Sequence, residues 1–190
     1  MLGKVIAAGA LLISSAAFGS GTLSEMVTDI QVQVAHDVAM QSGIDWKVGD
    51  QNDYNVDMGF LKGTMVMKVR EIGADGIWVD QDMDLGFAGK QKASSLIDPN
   101  TGAVKKMIVN GKEQAIPENN FKPVEVKEAT ITVPAGTFEC IYVRLKDEKT
   151  GKEAEAWINP EKVSIGGSLK MIQPGQFGNV TLELKSFKKN

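Results

Sequence analysis

The chain of 190 residues has one cysteine and one histidine. With Cys140 alone, no intramolecular disulfide can form, even in an oxidising compartment. Cys140 also lies far from the N-terminus, which excludes acylation on a cysteine just after a leader. A catalytic thiol needs a nearby base, and His36 is remote in sequence. Flanked by Phe138, Ile141 and Val143, Cys140 reads as a buried small hydrophobe. There is no Gly-x-Ser-x-Gly, His-Glu-x-x-His or phosphate-loop motif. His36, with only Asp37 beside it, is therefore expected to be structural or surface-exposed, since a site needs several converging groups. No basic tract stands out among 21 basic and 24 acidic residues, net charge −3, so nothing points to nucleic acid. No long apolar run follows the first one, so no transmembrane segment is expected in the mature chain.

That first run is the clearest positive signal. Lys4 precedes an apolar stretch from Val5 to Ala17, and Ala17-Phe18-Gly19 places small residues before Ser20. This is the pattern of a cleaved secretory signal peptide, residues 1–19. The stretch is too short for a permanent span, which needs about 20 apolar residues. Residues 20–190 have the size of a single domain, periplasmic or secreted.

Residues 22–42 fit two patterns. Thr22 and Glu25 make a capping box, Met26, Ile30, Val34 and Val38 share one helical face, and Gly43 is a stop. As a strand, Ile30, Val32, Val34, His36, Val38 and Met40 alternate with more polar positions. The caps and the length favour a helix.

From Trp46 onward the pattern is β. Tyr54, Val56 and Met58 alternate with Asp53, Asn55 and Asp57. Met65, Met67 and Val69 follow. Ile77, Val79, Met83, Leu85 and Phe87 alternate with Trp78, Asp80, Asp82 and Asp84. Turns are expected at 73–76, 98–102, Asn110-Gly111 and 149–152. Later strands are expected at 93–97, 104–109, 124–133, 138–145, 153–158, 169–172 and 180–187, about nine in all on the alternation rule. Short connections imply an antiparallel meander, and residues 116–123 read as a long loop crossing the sheet.

Asp53-x-Asn55-x-Asp57 and Asp80-x-Asp82-x-Asp84 begin like calcium loops, but Met58 and Leu85 stand where glycine belongs, and Thr64 and Gln91 where glutamate belongs. Alternation instead puts these acids on one solvated face, with Lys68 and Arg70 between them. Glu139, Glu153 and Glu155, spaced by strand periodicity, also read as solvated. Met58, Met65, Met67 and Met83 share the opposite, apolar face. Flexible methionines fill ordinary cores, suit an adaptable ligand cavity, and in principle offer thioethers to Cu(I).

Three segments carry a resemblance. Trp46-Lys47-Val48-Gly49-Asp50 with Tyr54, Val133-Pro134-Ala135-Gly136-Thr137-Phe138-Glu139-Cys140, and Trp157-Ile158-Asn159-Pro160 with Gly166-Gly167 and Lys170-Met171 resemble recurrent segments of bacterial exported β-rich proteins of uncharacterised function. That resemblance, over residues 46–187, implies a half-open β-barrel similar to periplasmic lipoprotein carriers. It brings no catalytic residues.

The resulting expectation is a mainly β (α+β) domain, an antiparallel meander curved into a half-barrel with an N-terminal helix against its concave face. The expected function is a non-enzymatic exported binding protein. Met58, Met65, Met67, Val69, Val79, Met83, Leu85 and Phe87 would line an apolar cavity for a lipid-like or acylated-protein ligand, with no cofactor and no metal. The alternatives are an envelope interaction protein with a filled core and, last, a hydrolase.

Overall fold

The computed structural model describes residues 44–116, 121–175 and 178–190. The expected signal peptide, the expected helix at 22–42 and His36 lie outside the described residues. Within them there is no α-helix, only two short 3-10 turns and eleven strands. These are β1 (Gln51–Asp57), β2 (Lys62–Gly73), β3 (Gly76–Asp84), β4 (Lys90–Ile97), β5 (Val104–Val109), β6 (Lys112–Gln114), β7 (Phe121–Val133), β8 (Gly136–Asp147), β9 (Glu153–Ile158), β10 (Ser168–Gly175) and β11 (Gly178–Lys188).

All eleven form one antiparallel sheet in the order β6-β5-β4-β3-β2-β1-β11-β10-β9-β8-β7. The chain starts at the centre and meanders outward to β6. It restarts at the opposite edge with β7 and meanders back, until β11 pairs with β1. Expectation and structure agree on the meander and on its turns. At Asn110-Gly111 both residues have positive φ, 49° and 79°, as a type I′ turn requires. One strand went unforeseen, the three-residue β6; β4 begins at Lys90 rather than 93, and β7 begins at Phe121, inside the expected loop.

The sheet is open but rolled. Eleven strands laid flat would span about 48 Å between the outermost pair. The seven residue steps from Gln114 to Phe121 reach at most about 25 Å, so the two edges must be brought toward each other. The roll is tightest in the β7–β11 half. β9 pairs with β8 only from Ile141 to Lys146, and β7 and β8 continue beyond it as a two-stranded arm. The arm folds back across the sheet. Ala135 N donates to Leu184 O of β11 at 3.1 Å, and the Phe138 and Phe187 rings lie 6.2 Å apart. The phase of burial changes along β8, from Phe138, Cys140 and Tyr142 to Val143, Leu145 and Asp147. One strand thus serves the arm and the main interior with opposite faces.

The interior of the β1–β4 half follows the alternation. Met65 stands opposite Tyr54 on one side and Met83 on the other, and Met65, Met67 and Val69 are 0% exposed. One end of the interior is closed by the β9–β10 connection, residues 159–167, of which Val163, Ser164 and Ile165 are buried. Asn52 Nδ2 of β1 donates to Ser164 O at 2.7 Å, and the Tyr54 hydroxyl donates to Ser168 O at 3.1 Å. Gly167 has φ +68°, and a Cβ there would meet Pro160 N at 2.5 Å, so the connection can close only with glycine at that position.

Candidate functional site

The methionine face comes together largely as the alternation implies. Met58, Met65, Met67, Val69, Val79, Met83 and Leu85 are all buried in the core. Phe87 is a correction. β3 ends at Asp84, Leu85 turns inward to start a 3-10 turn, and Phe87 sits on that turn 88% exposed. The two-residue period had been carried three residues beyond the strand that generates it.

The charged face is built as a ladder, with Arg70 meeting Asp80 as expected and the remaining acids taking other partners. Arg70 Nη1 lies 2.9 Å from Asp80 Oδ1 and its guanidinium stacks over Trp78 at 5.0 Å. Asp82 and Asp84 pair outward with Lys92 and Lys90 of β4, and Asp57 pairs with Lys62. Among the described residues, no three His, Cys, Asp or Glu side chains gather closely enough to hold a metal.

A cleft of about 800 Å³ opens where the β7–β8 arm leaves the sheet. Its walls are residues 128–130 of β7, 139–141 of β8 and 158–162 after β9. Two of the segments singled out in the sequence therefore meet here: Val133–Cys140 forms the arm tip and its return, and Trp157–Pro160 forms the opposite wall. Asn159 links them. Its Nδ2 donates to Glu139 O at 2.7 Å, just where β8 loses β9 as a partner, and its Oδ1 accepts from Lys162 N at 2.9 Å. Lys189 Nζ braces the same wall at Pro160 O and Glu161 O and pairs with Asp45 at 3.1 Å. Lys189 thus ties the segment before β1 and the C-terminal end of β11 to the wall of the cleft.

Cys140 faces the cleft but is only 7% exposed, and burial raises its thiol above the ordinary value, which keeps it protonated and unreactive. Glu128, Glu139, Glu161 and Lys162 supply charge at the walls. Sequence reasoning missed Asn159 as the linking residue and the cleft itself. The signal was the presence of two recognisable segments in one chain, which the β8–β9 register brings together, with Ile141 opposite Ile158 and Tyr142 opposite Trp157. A second, smaller opening of about 400 Å³ lies over Asn55, Asp57, Lys62 and Glu183 on the charged face. None of the eight residues expected to line a cavity borders either opening.

The chain matches no protein-family model and no curated protein. Among solved structures, an exported protein with a YmcC-like fold from Bacteroides fragilis is similar at TM-score 0.40 and 13% identity, over 77% of this chain and 99% of that one. A lipoprotein from Parabacteroides distasonis is similar at TM-score 0.40 and 14% identity, over 76% and 97%. No family is assigned from likenesses of this size. No helix among the described residues is long and apolar enough to cross a membrane.

Proposed function

We propose that the protein is an exported, non-enzymatic interaction protein of the cell envelope, whose methionine face is its core and whose recognition surface lies outside that core. The observation that carries this reading is the packing of the interior: Met65, Met67 and Val69 are 0% exposed, so no water-sized space adjoins them. The N-terminal signal pattern supports export, and the cleft joined by Asn159 offers a polar surface with mixed charge. The half-barrel description fits the rolled, open sheet.

A second reading is carriage of a lipid-like or acylated ligand inside the barrel. The direct pairing of Met65 with Met83 favours it, because thioether chains can repack around a guest. Each methylene taken from water would contribute about 0.8 kcal/mol. Native mass spectrometry of the protein purified without detergent from its own envelope separates the two. A clean apo mass after incubation with fatty acids and phospholipids is expected. A bound species that identifies as lipid, and that is lost in a Met67→Trp variant with an unchanged fold, would replace the first reading by the second.

A further inference from the structure

Two hairpin tips at one end of the sheet are built to the same plan. The β1–β2 tip reads Asp57-Met58-Gly59-Phe60-Leu61-Lys62, and the β3–β4 tip reads Asp84-Leu85-Gly86-Phe87-Ala88-Gly89-Lys90. In each, the aspartate ends one strand and the lysine starts the next. In each, the aspartate Oδ1 accepts from the glycine amide two residues on, Gly59 N at 2.8 Å and Gly86 N at 3.0 Å. Its other oxygen pairs with the lysine, at 3.1 Å for Lys62 and 3.0 Å for Lys90. The residue after the aspartate, Met58 or Leu85, is buried as an anchor. The glycine takes positive φ, 81° and 61°, and the phenylalanine that follows is carried outward, Phe60 at 63% and Phe87 at 88% exposure.

Large side chains at such exposure are costly to leave in water, and a local structure that presents them twice in the same way is unlike scattered surface hydrophobes. β2 and β3 are neighbours with Thr64 opposite Asp84, so the two tips stand about 10 Å apart, two strand spacings. The tips are convex. A protein partner would need two separate pockets at that spacing, whereas the headgroup–acyl boundary of a bilayer accepts aromatic protrusions anywhere along it. The charges agree with a lipid surface. Each lysine around the tips is paired with an aspartate, Lys62 with Asp57, Lys90 with Asp84 and Lys92 with Asp82, and the three lysine side chains lie 75–78% exposed. Exposed ion pairs are weak, so these ammonium groups can exchange a carboxylate for a lipid phosphate with little loss.

We propose that this end of the sheet is a membrane-docking edge, in which Phe60 and Phe87 insert into the interfacial layer of an anionic bilayer and the flanking lysines contact its headgroups. The sheet then stands with its strands directed at the membrane and the Asn159 cleft, at the opposite end, held away from it. This inference concerns a surface distinct from the methionine interior and does not depend on whether that interior carries a guest.

The test is co-sedimentation with vesicles of phosphatidylethanolamine and phosphatidylglycerol, using protein expressed from the full 190-residue sequence and purified in its processed form. The wild type is expected to bind, more weakly as salt is raised. Phe60→Ser with Phe87→Ser should lower the partition coefficient roughly tenfold per phenylalanine, with unchanged circular dichroism and melting. Lys62→Gln with Lys90→Gln should weaken binding to these vesicles and leave partition into neutral phosphatidylcholine unchanged. Phe87→Ser alone, at the more exposed tip, keeps the test open should the double variant fold poorly. No binding by the wild type at low salt, or binding unaffected by loss of the phenylalanines, would overturn the proposal.

Discussion

The two wings of the sheet solve the same problem with opposite materials. In the β1–β4 wing the interior is filled by long, flexible side chains, Met65, Met67 and Met83, and Met65, Met67 and Val69 of β2 and Ile77, Val79, Gln81 and Met83 of β3 keep one phase of alternation. In the β7–β11 wing Ala154 and Ala156 of β9 stand opposite Leu145 and Val143, among larger buried chains such as Leu169, Met171, Leu182 and Leu184, and β8 changes its buried phase midway. Small residues bring backbones close and leave room for an arm to fold over. Large ones hold the sheet open over a thick core. The difference teaches that curvature here is set by side-chain volume and by a break in periodicity, neither of which is a turn signal.

That comparison can be broken most severely where the wings meet. Gly167→Ala forces a side chain onto Pro160 at a left-handed backbone position. It is expected to cost roughly 4 kcal/mol or more, with loss of a cooperative urea transition. Met67→Ala, in the thick wing, should leave a cavity and lower stability by about 2–5 kcal/mol. The mirror experiment, Ala156→Leu in the thin wing, overpacks the position opposite Val143 and Met171 and should cost about 1–3 kcal/mol. If the two substitutions proved equally harmless, the contrast in packing would be wrong. Asn159→Ala removes the link between arm and β9 and should cost about 1 kcal/mol. Hydrogen exchange at residues 136–140 would rise while that of β2 and β3 stayed unchanged.

The smallest effects are in pH. Asp57, Asp84 and Asp98 are held below the ordinary 3.8, first by the amides of Gly59, Gly86 and Asn100 and then by Lys62, Lys90 and the Thr101 amide. A carboxyl depressed in the folded state contributes stability above its unfolded value and loses it as pH falls through the folded one. Thermal midpoints should therefore hold down to about pH 4 and decline below it. Tyr54 titrates the other way. Burial raises its phenol above the ordinary 10.0, so its contribution is complete below that value and is lost as pH rises beyond it. Tyr54→Phe should flatten the alkaline limb of the melting profile.

What could be read from the sequence was the part written locally. Tyr54, Val56, Met65 and Met67 alternate with less buried neighbours, polar but for Val66, because β1 and β2 have one wet face, and Asn110-Gly111 announces its turn. Phe87 was misplaced because alternation carries no stop mark of its own, and the stop lies in Asp84 binding the Gly86 amide. The phase change in β8 and the burial of Ile165 on a left-handed backbone, φ +50°, come from contacts with β11 and β1, far away in the chain. The cleft was illegible for a more local reason: Glu139 and Asn159 lie just beyond the Ile141–Ile158 pair that ends the β8–β9 ladder, and the sequence carries no mark of where that ladder stops.

The seam between β1 and β11 has a kinetic meaning. Each wing is a meander of local hairpins, low in contact order and able to form early. The central pairing instead joins Gln51–Asp57 to Thr181–Lys188, nearly the whole length of the described chain. A polypeptide that is made N-terminus first can assemble β1 to β6 but cannot zip its centre until the last residues are out. Completion of the fold is thus timed to release of the C-terminus, and a chain truncated before β11 would leave β1 as a raw edge open to misassembly.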